Sequence, residues 1–174
     1  LDPDLVVNHP LDSLWELPLE EYFFAAASHV AKGMEKFNAI RLQSETPGPY
    51  INSGVLLMNL PVLRREQQIQ PVLDYVQAHR KTLLLPDQDV ISALYGDRIL
   101  RLNPWRYNMT ERLLTAALLT PGHPVDLDWV LENSAIVHYC GRNKPWKANY
   151  LGKLDCVWQQ YADLVRFQPP KEAE

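Results

Sequence analysis

The sequence has little cysteine, no long apolar run and no excess of positive charge. It has only two cysteines, Cys140 and Cys156, and we expect both to be reduced because no secretory pattern opens the chain. No apolar run approaches the roughly 20 residues that cross a bilayer. The formal net charge of -4 argues against wrapping a nucleic-acid backbone, which needs a basic face. A cytoplasmic protein that does not bind nucleic acid is the resulting expectation.

The composition is that of an ordinary globular protein. Hydrophobic residues make up 47% and charged residues 22% of the 174 residues, which is enough to bury the core of one domain. We expect residues 1–165 to be folded together and residues 166–174 to be a flexible tail. The chain begins with Leu rather than Met, so we expect it to be a portion of a longer protein.

Strand patterns and helix patterns alternate along the chain, which predicts an α/β fold. The predicted strands are LDPDLVV, EYFFAAA, INSGVLLMNL, ILRLNPW and SAIVHYCG. The third of these should be a central strand buried on both faces at Val55 to Met58. The predicted helices are PLDSLWEL, a stretch with Pro71 in its first turn, PDQDVISALYG capped by Asp87, and DCVWQQYADLVRF. TPGPY and NPWRYN are expected to be loops, and Trp105 and Tyr107 in the latter are candidates for lining a sugar subsite.

Three residues are candidates for holding a divalent cation. Asp2 and Asp4 stand one residue apart just beyond a predicted strand end, where carboxylates can bind a hard cation. A solvated acidic pair is the more common alternative. His138 ends the strand SAIVH, and a half-buried histidine with a satisfied hydrogen bond is the alternative there. If the three meet, two carboxylates and one imidazole suit manganese better than calcium.

Further polar positions are candidates for binding an anionic or hydroxylated ligand. Gly141 would let backbone N–H groups approach an anion, and Lys144 would place an ammonium on a phosphate. A charged turn explains the same two residues equally well. Asn52 and Gln88 offer amides to a polar ligand, and Asp87 precedes Gln88 at a helix start. A turn before Gly54 and a helix cap at Asp87 are the alternatives.

Taken in order, LDPDLVV, YINSGVLLMNL, LPDQDVI and IVHYCGRNKPW closely resemble glycosyltransferase family 8 from residue 1 to about Tyr161. That family includes bacterial lipopolysaccharide glucosyl- and galactosyltransferases and, more distantly, glycogenin. The resemblance implies a GT-A fold, the nucleotide-diphospho-sugar transferase type of α/β domain. It also implies that this chain starts at the D-x-D motif and lacks the N-terminal nucleotide-binding half.

The resemblance implies a role for each candidate residue. Asp2 and Asp4 match the D-x-D motif, which with His138 holds Mn²⁺, or alternatively Mg²⁺, against a nucleotide diphosphate. Gly141 and Lys144 match residues that hold that diphosphate.

The remaining three candidates match the sugar side of the donor. Asn52 and Asp87 match positions near the donor sugar. Gln88 matches the residue that faces the reacting carbon. The implied reaction transfers glucose or galactose from a UDP-sugar, with retention, to a glycan or a lipid-linked, lipopolysaccharide-type saccharide. The enzyme would then be cytoplasmic, with peripheral attachment at the inner face of the membrane as a variant of that expectation.

The missing half leads to further expectations. We expect the chain alone to bind nucleotide weakly and to be inactive or nearly so. An exposed sheet edge also favours a homodimer. Two alternative functions stay open, a metal-dependent phosphoesterase built on the metal-ligand candidates and a non-catalytic carbohydrate- or partner-binding module.

Overall fold

The computed structural model describes residues 1–28, 32–44 and 48–166. The tail was predicted at 166–174; Arg166 instead ends a helix, and residues 167–174 lie outside this range, as do residues 46 and 47 of the predicted TPGPY loop. Contacts divide the chain into two compact units. Unit 1 contains Leu1–Asp2 and Leu11–Pro104, and unit 2 contains Pro3–Pro10 and Trp105–Glu174. No helix in the described residues has the length and apolarity that a membrane span requires.

Five described strands and nine described α-helices alternate along the chain, as predicted. The strands are β1 Leu5–Val7, β2 Phe24–Ser28, β3 Ile51–Met58, β4 Ile99–Leu102 and β5 Ile136–His138. The helices are α1 Asp12–Trp15, α2 Lys32–Arg41, α3 Leu60–Glu66, α4 Ile69–His79, α5 Pro86–Leu94, α6 Pro104–Tyr107, α7 Glu111–Leu118, α8 Leu127–Asn133 and α9 Asp155–Arg166.

Unit 1 is built on a three-stranded sheet whose central strand is β2. Strand β3 pairs with it antiparallel and β4 pairs with it parallel, in the order β3-β2-β4. The prediction of β3 as the central strand is therefore wrong for the described strands, and Met58 at its end is 47% exposed. Ala25, Ala26 and Ala27 of β2 are fully buried instead. An apolar run indicates burial but not the number of neighbouring strands. Periodicity therefore could not distinguish a central strand from an edge strand.

Helix α4 begins at Ile69, so Pro71 lies in its first turn, as predicted. None of its residues is buried, and Leu73 is 52% and Val76 37% exposed. The amphipathic pattern therefore marked the helix correctly but did not show whether anything covers its apolar face.

Helix α5 begins at Pro86, as the PDQD sequence predicts, but Asp87 is not its cap. The N-cap residue is Leu85, and no side chain caps it. The carboxylate of Asp89 instead accepts hydrogen bonds from the backbone N–H groups of Leu84, at 2.7 Å, and Leu85, at 3.2 Å. Asp89 can serve the free N–H groups before the helix because its side chain points back toward the N-terminus.

Unit 2 is organised around the antiparallel pair of β1 and β5, in which Leu5 lies opposite His138. Met109 forms a further bridge to Val137. The core consists of fully or largely buried side chains from these segments and from α7, α8 and α9: Val6, Met109, Leu114, Ala117, Val125, Val130, Val137, Tyr139, Leu154 and Val157. The predicted amphipathic helix at DCVWQQYADLVRF is α9, and it buries Val157 completely.

The NPWRYN segment was predicted to be irregular and instead contains the short helix α6. Trp105 packs against the unit 2 core and its ring centroid lies 5.1 Å from that of His123. Tyr107 is buried. Trp105 is therefore explained by packing within unit 2, and a sugar-binding role for either residue stays a prediction. Cys140 and Cys156 are free thiols, as predicted.

Candidate functional site

The pairing of β1 with β5 places Asp4 beside His138. Asp4 immediately precedes β1, and the register sets the next residue, Leu5, opposite His138. An Oδ1 atom of Asp4 lies 3.2 Å from Nε2 of His138. The two predicted carboxylates thus stand before a strand rather than beyond one. Antiparallel pairing brings Asp4 to the end of β5, where the histidine is.

The imidazole of His138 is oriented by Asn108, a residue that the sequence did not single out. Nδ1 of His138 lies 2.8 Å from the amide oxygen of Asn108, and both residues are almost completely buried. An amide oxygen only accepts, so Nδ1 carries a hydrogen, and Nε2 is the ring atom that faces Asp4 and could bind a cation. A histidine fixed in this way is typical of a metal ligand.

Asp2 is the third predicted ligand. It belongs to unit 1, whereas Asp4 and His138 belong to unit 2, so its part in the site stays a prediction. Adjacent ligand atoms on one octahedral cation are roughly 3 Å apart, so the 3.2 Å between the Asp4 and His138 atoms fits a shared cation. Two carboxylates and one imidazole form a mixed oxygen and nitrogen set that suits Mn²⁺ and is acceptable to Mg²⁺.

Lys144 contacts the same carboxylate from the other side. Its ammonium donates to Oδ2 of Asp4, and it donates to the backbone carbonyl of Tyr139 at 2.8 Å. Burial alone would raise the pKa of Asp4, but the hydrogen bond from Lys144 and the positive charge of His138 and Lys144 hold it below its usual value. Asp4 is therefore ionised at neutral pH.

Gly141, the other predicted diphosphate-binding residue, has a φ of +89°. Non-glycine residues rarely adopt this conformation. A Cβ atom built at Gly141 would meet no protein atom within 4 Å. The position is thus specified by its backbone conformation, and the space beside its Cα is open to a ligand.

The loop that follows Lys144 is held by two side chains that the sequence did not reveal. Asn143 donates to the carbonyl of Leu151 at 2.7 Å and accepts from its N–H at 3.1 Å. Glu111 at the start of α7 accepts from the hydroxyl of Tyr150 at 2.7 Å, and from the N–H groups of Lys153, at 2.8 Å, and Leu154. The backbone on both sides of this loop is therefore fixed to unit 2.

Unit 1 brings Asp87 and Gln88 together through Ser53, another residue that the sequence did not single out. Asn52, the third predicted residue there, is buried and accepts from the backbone N–H of Gly54 at 3.0 Å. The Ser53 hydroxyl donates to Asp87, and its backbone N–H donates to Oε1 of Gln88 at 3.3 Å. Gln88 is only 5% exposed, and its Nε2 has no hydrogen-bond partner among the described residues. A buried, unpaired amide N–H₂ is costly, so this group marks a place where a ligand oxygen would be favourable.

Asp89, next to Gln88, is a structural residue. Its fully buried carboxylate accepts two hydrogen bonds from the guanidinium of Arg41, at 2.7 and 3.0 Å, and one from the hydroxyl of Tyr50 at 2.7 Å. Burial and the neighbouring carboxylate raise the pKa of Tyr50 to about 12. These bonds, with those from Leu84 and Leu85, fix the first turn of α5, which carries Gln88.

Comparisons with known sequences agree with the motifs. A model of the family described as "Glycosyl transferase family 8" matches residues 1–150. General stress protein A of Bacillus subtilis is 29% identical over 154 residues, 86% of this chain and 52% of that protein. Glycosyltransferase GlyE of Streptococcus pneumoniae is 31% identical over 163 residues, 93% of this chain and 36% of that protein. The lipopolysaccharide 1,2-glucosyltransferase of Escherichia coli K12 is 28% identical over 146 residues, 84% and 43% respectively.

The chain thus spans about half, or less, of the length of these relatives. Among solved structures, galactosyltransferase LgtC in complex with donor and acceptor sugar analogs superposes with a TM-score of 0.74 at 22% identity, over 97% of this chain and 61% of that chain. The structure of GlyE from Streptococcus pneumoniae gives 0.67 at 25% identity, over 100% and 43%. The fold is therefore of the GT-A type.

Proposed function

Because this chain belongs to glycosyl transferase family 8, we propose that it is the C-terminal part of the catalytic domain of a retaining hexosyltransferase. The donor is a UDP-sugar carrying glucose or galactose. The acceptor is a glycan or a lipid-linked, lipopolysaccharide-type saccharide, in keeping with the similarity to a lipopolysaccharide 1,2-glucosyltransferase. Residues 1–165 belong to one catalytic domain, which works in the cytoplasm or at the inner face of the membrane.

The observation that carries the proposal is the pair formed by Asp4 and His138. The histidine presents Nε2 to the carboxylate because Asn108 holds Nδ1. With Asp2, these residues would hold Mn²⁺, with Mg²⁺ as the alternative. When bound, the cation would act as a Lewis acid that stabilises charge on the departing diphosphate.

Lys144 and Gly141 would bind the diphosphate itself. The ammonium of Lys144 offsets negative charge that grows on the leaving group, so the protein needs no strong acid there. The open space beside the Cα of Gly141 lets an anion approach the backbone N–H groups.

Gln88 would act at the donor sugar with Asn52 and Asp87. An amide is a poor nucleophile, whereas double displacement requires a carboxylate close to the reacting carbon. We therefore favour attack by the acceptor hydroxyl on the face that the diphosphate leaves. Oε1 of Gln88 keeps one lone pair after accepting from Ser53 and would stabilise positive charge at that carbon. The unpaired Nε2 would donate to an oxygen of the donor.

Titration with Mn²⁺ tests the metal site on the 174-residue chain itself. We expect one Mn²⁺ to bind, and Asp4→Asn to weaken binding by about tenfold or more because a ligand charge is lost. Asp128→Asn removes the same charge from an exposed position on α8 and should leave the affinity unchanged. Equal Mn²⁺ affinity in all three proteins would refute the site.

A second titration, with UDP, separates a transferase from the alternatives. A transferase site binds UDP better with Mn²⁺ than without, whereas a carbohydrate- or partner-binding module shows no such coupling. We propose that the chain alone binds UDP weakly, is nearly inactive in transfer and forms a homodimer. The titration is therefore repeated on a polypeptide that also carries the segment that family members place before the D-x-D motif. Robust transfer by the 174-residue chain alone would contradict this part of the proposal.

A metal-dependent phosphoesterase would hydrolyse simple phosphate esters without any sugar donor. Such enzymes usually hold two metals. The three proposed ligands, Asp2, Asp4 and His138, would hold a single cation. We therefore expect no release of phosphate from simple esters in the presence of Mn²⁺.

A further inference from the structure

We infer that Lys144 competes with the divalent cation for Asp4, so that the cation binds weakly until the lysine has another anion to pair with. The inference rests on the proposed function, because competition requires a cation site at Asp4 and His138. The inference concerns Lys144 before the diphosphate binds. Because a diphosphate would draw Lys144 away from Asp4, the metal and the diphosphate would bind cooperatively.

Both oxygens of the Asp4 carboxylate are already engaged. Oδ1 lies beside Nε2 of His138, and Oδ2 accepts from the ammonium of Lys144. The side chains of Asp4 and Lys144 are only 19% and 17% exposed, so water screens their attraction incompletely. A cation that binds Asp4 must share the carboxylate with a positive charge or displace it. Either outcome reduces the affinity of the metal.

The lysine is held in this position by the fold. Its ammonium also donates to the carbonyl of Tyr139 at 2.8 Å, and the N–H of Tyr139 donates to the carbonyl of Asp4 at 2.9 Å. The lysine therefore bridges the residue before β1 and the residue after β5. This arrangement keeps the ammonium on Asp4 when no other anion is within its reach.

The exchange of partners requires only the side chain to move. The backbone next to Lys144 is fixed because Asn143 forms two hydrogen bonds with the backbone of Leu151. A lysine side chain has four rotatable bonds and an ammonium that pairs with any anion as a point charge. The same residue can thus leave Asp4 for a diphosphate without rearrangement of the loop.

A purely supporting role of Lys144 predicts the opposite change in metal affinity when Lys144 is removed. If Lys144 served only to hold Asp4 in a conformation suited to the metal, its removal would weaken metal binding. If it competes, its removal strengthens metal binding. The direction of one affinity change therefore decides between them.

The experiment is a titration of the 174-residue chain with Mn²⁺ alone, in which free Mn²⁺ is followed by electron paramagnetic resonance. The variants are Lys144→Gln, Lys144→Arg and Arg142→Gln. The last removes the same charge from an exposed residue of the same loop. We expect Lys144→Gln to bind Mn²⁺ about tenfold more tightly than the wild type. Lys144→Arg should stay near the wild type because arginine also pairs with carboxylates. Arg142→Gln should change the affinity by less than about twofold.

Thermal unfolding of each variant verifies that it is folded, and Lys144→Met replaces Lys144→Gln if the latter is not. Unchanged or weaker binding of Mn²⁺ by Lys144→Gln, beside measurable binding by the wild type, would overturn the inference and leave the proposed function standing. An equal gain in Lys144→Gln and Arg142→Gln would also overturn it, because long-range charge would then explain the effect. Absence of Mn²⁺ binding in every variant would refute the metal site and the inference together.

Discussion

The backbone N–H of Ser53 donates to Oε1 of Gln88 at 3.3 Å, and this bond determines which end of the glutamine amide faces an unsatisfied environment. Exchanging the amide nitrogen and oxygen would set two donors against each other, so the bond favours the observed orientation. The amide nitrogen is then left without a partner among the described residues. Burial and Asp89 raise the pKa of Tyr50, and the Gln88 amide acts to lower it. Nε2 of Gln88 nevertheless forms no hydrogen bond of normal geometry with the described residues, and that observation supports our proposal that Nε2 binds an oxygen of the donor.

Replacing Gln88 by Ala should reduce transferase activity by about 100-fold or more, because a preorganised polar group at the reacting carbon is lost. The activity is measured on the polypeptide extended by the segment that precedes the D-x-D motif in the family. We expect the loss in kcat rather than in KM for the donor. Gln70→Ala, at an exposed site on α4, is the matched control and should be fully active. Full activity of Gln88→Ala would remove Gln88 from the mechanism.

Substitutions at Gly141 should show whether a glycine is needed there for the backbone conformation, for access of the ligand, or for both. Alanine at a φ of +89° should lower the free energy of unfolding by roughly 1–3 kcal/mol, whereas asparagine tolerates positive φ better. We expect Gly141→Asn to restore most of the stability but not the affinity for UDP with Mn²⁺, because its side chain would fill the open space. Recovery of both quantities would show that only the backbone conformation matters.

The sequence predicted where the helices and strands lie along the chain better than it predicted which of them pack together. Patterns that depend on local chemistry were sufficient for Leu5 to Val7, for the helix after Pro86 and for α9. The position of β3 at an edge of the described sheet depends on long-range pairing, which an apolar run cannot show. Asp87 was predicted to be the cap, whereas Asp89, held by the distant residues Arg41 and Tyr50, binds the N–H groups that precede the helix.

In the candidate site, likewise, the motif residues could be predicted from the sequence and the residues that support them could not. The order of motifs predicted that Asp2, Asp4 and His138 would lie together, and within unit 2 the structure places Asp4 beside His138; the part of Asp2 and the roles of all three stay predictions. Asn108 and Ser53 were missed because an isolated asparagine or serine carries no signal until the fold shows which side chain it orients. Such supporting residues become visible only through tertiary contacts.

The carboxylate of Asp89 should make the protein less stable in acid. Burial raises its pKa, but hydrogen bonds from Arg41, Tyr50 and the backbone of Leu84 and Leu85 outweigh this and hold the pKa below 3.8. The unfolded chain therefore binds the proton more readily than the folded chain. The contribution of Asp89 to stability is present above pH 3.8 and is lost as the pH falls through the lower pKa of the folded state.

Urea unfolding of the wild type and Asp89→Asn at several pH values measures this contribution. At neutral pH the substitution should lower the free energy of unfolding by about 3–5 kcal/mol, because it leaves the largely buried guanidinium of Arg41 without its counter-ion. The difference should shrink below pH 3.8, where the unfolded wild type takes up the proton at Asp89, and should reach its minimum below the lower pKa of the folded state. Asp4 and Glu66, whose pKa values are also lowered, titrate in both proteins and cancel. A difference that stays constant down to the lowest pH would contradict the prediction.

A glycine at position 152 should be required for full stability, because the carboxylate of Glu111 lies against it. A Cβ atom at Gly152 would stand 2.3 Å from the carboxylate carbon of Glu111, a distance at which one of them must move. Glu111 is not free to move without loss, since the hydroxyl of Tyr150 and the N–H groups of Lys153 and Leu154 donate to it. We expect Gly152→Ala to lower the free energy of unfolding by about 1–3 kcal/mol through these lost bonds.

A double-mutant cycle checks that this cost arises at Glu111. Glu111→Ala alone should also destabilise the chain, because the same three donors lose their acceptor. In the Glu111→Ala background, however, Gly152→Ala should cost almost nothing, since the carboxylate that it displaces is gone. The free energies of unfolding of the four proteins, from urea titrations, give the coupling directly. Additive costs would place the strain of Gly152→Ala in the backbone of the loop instead of at its contact with Glu111.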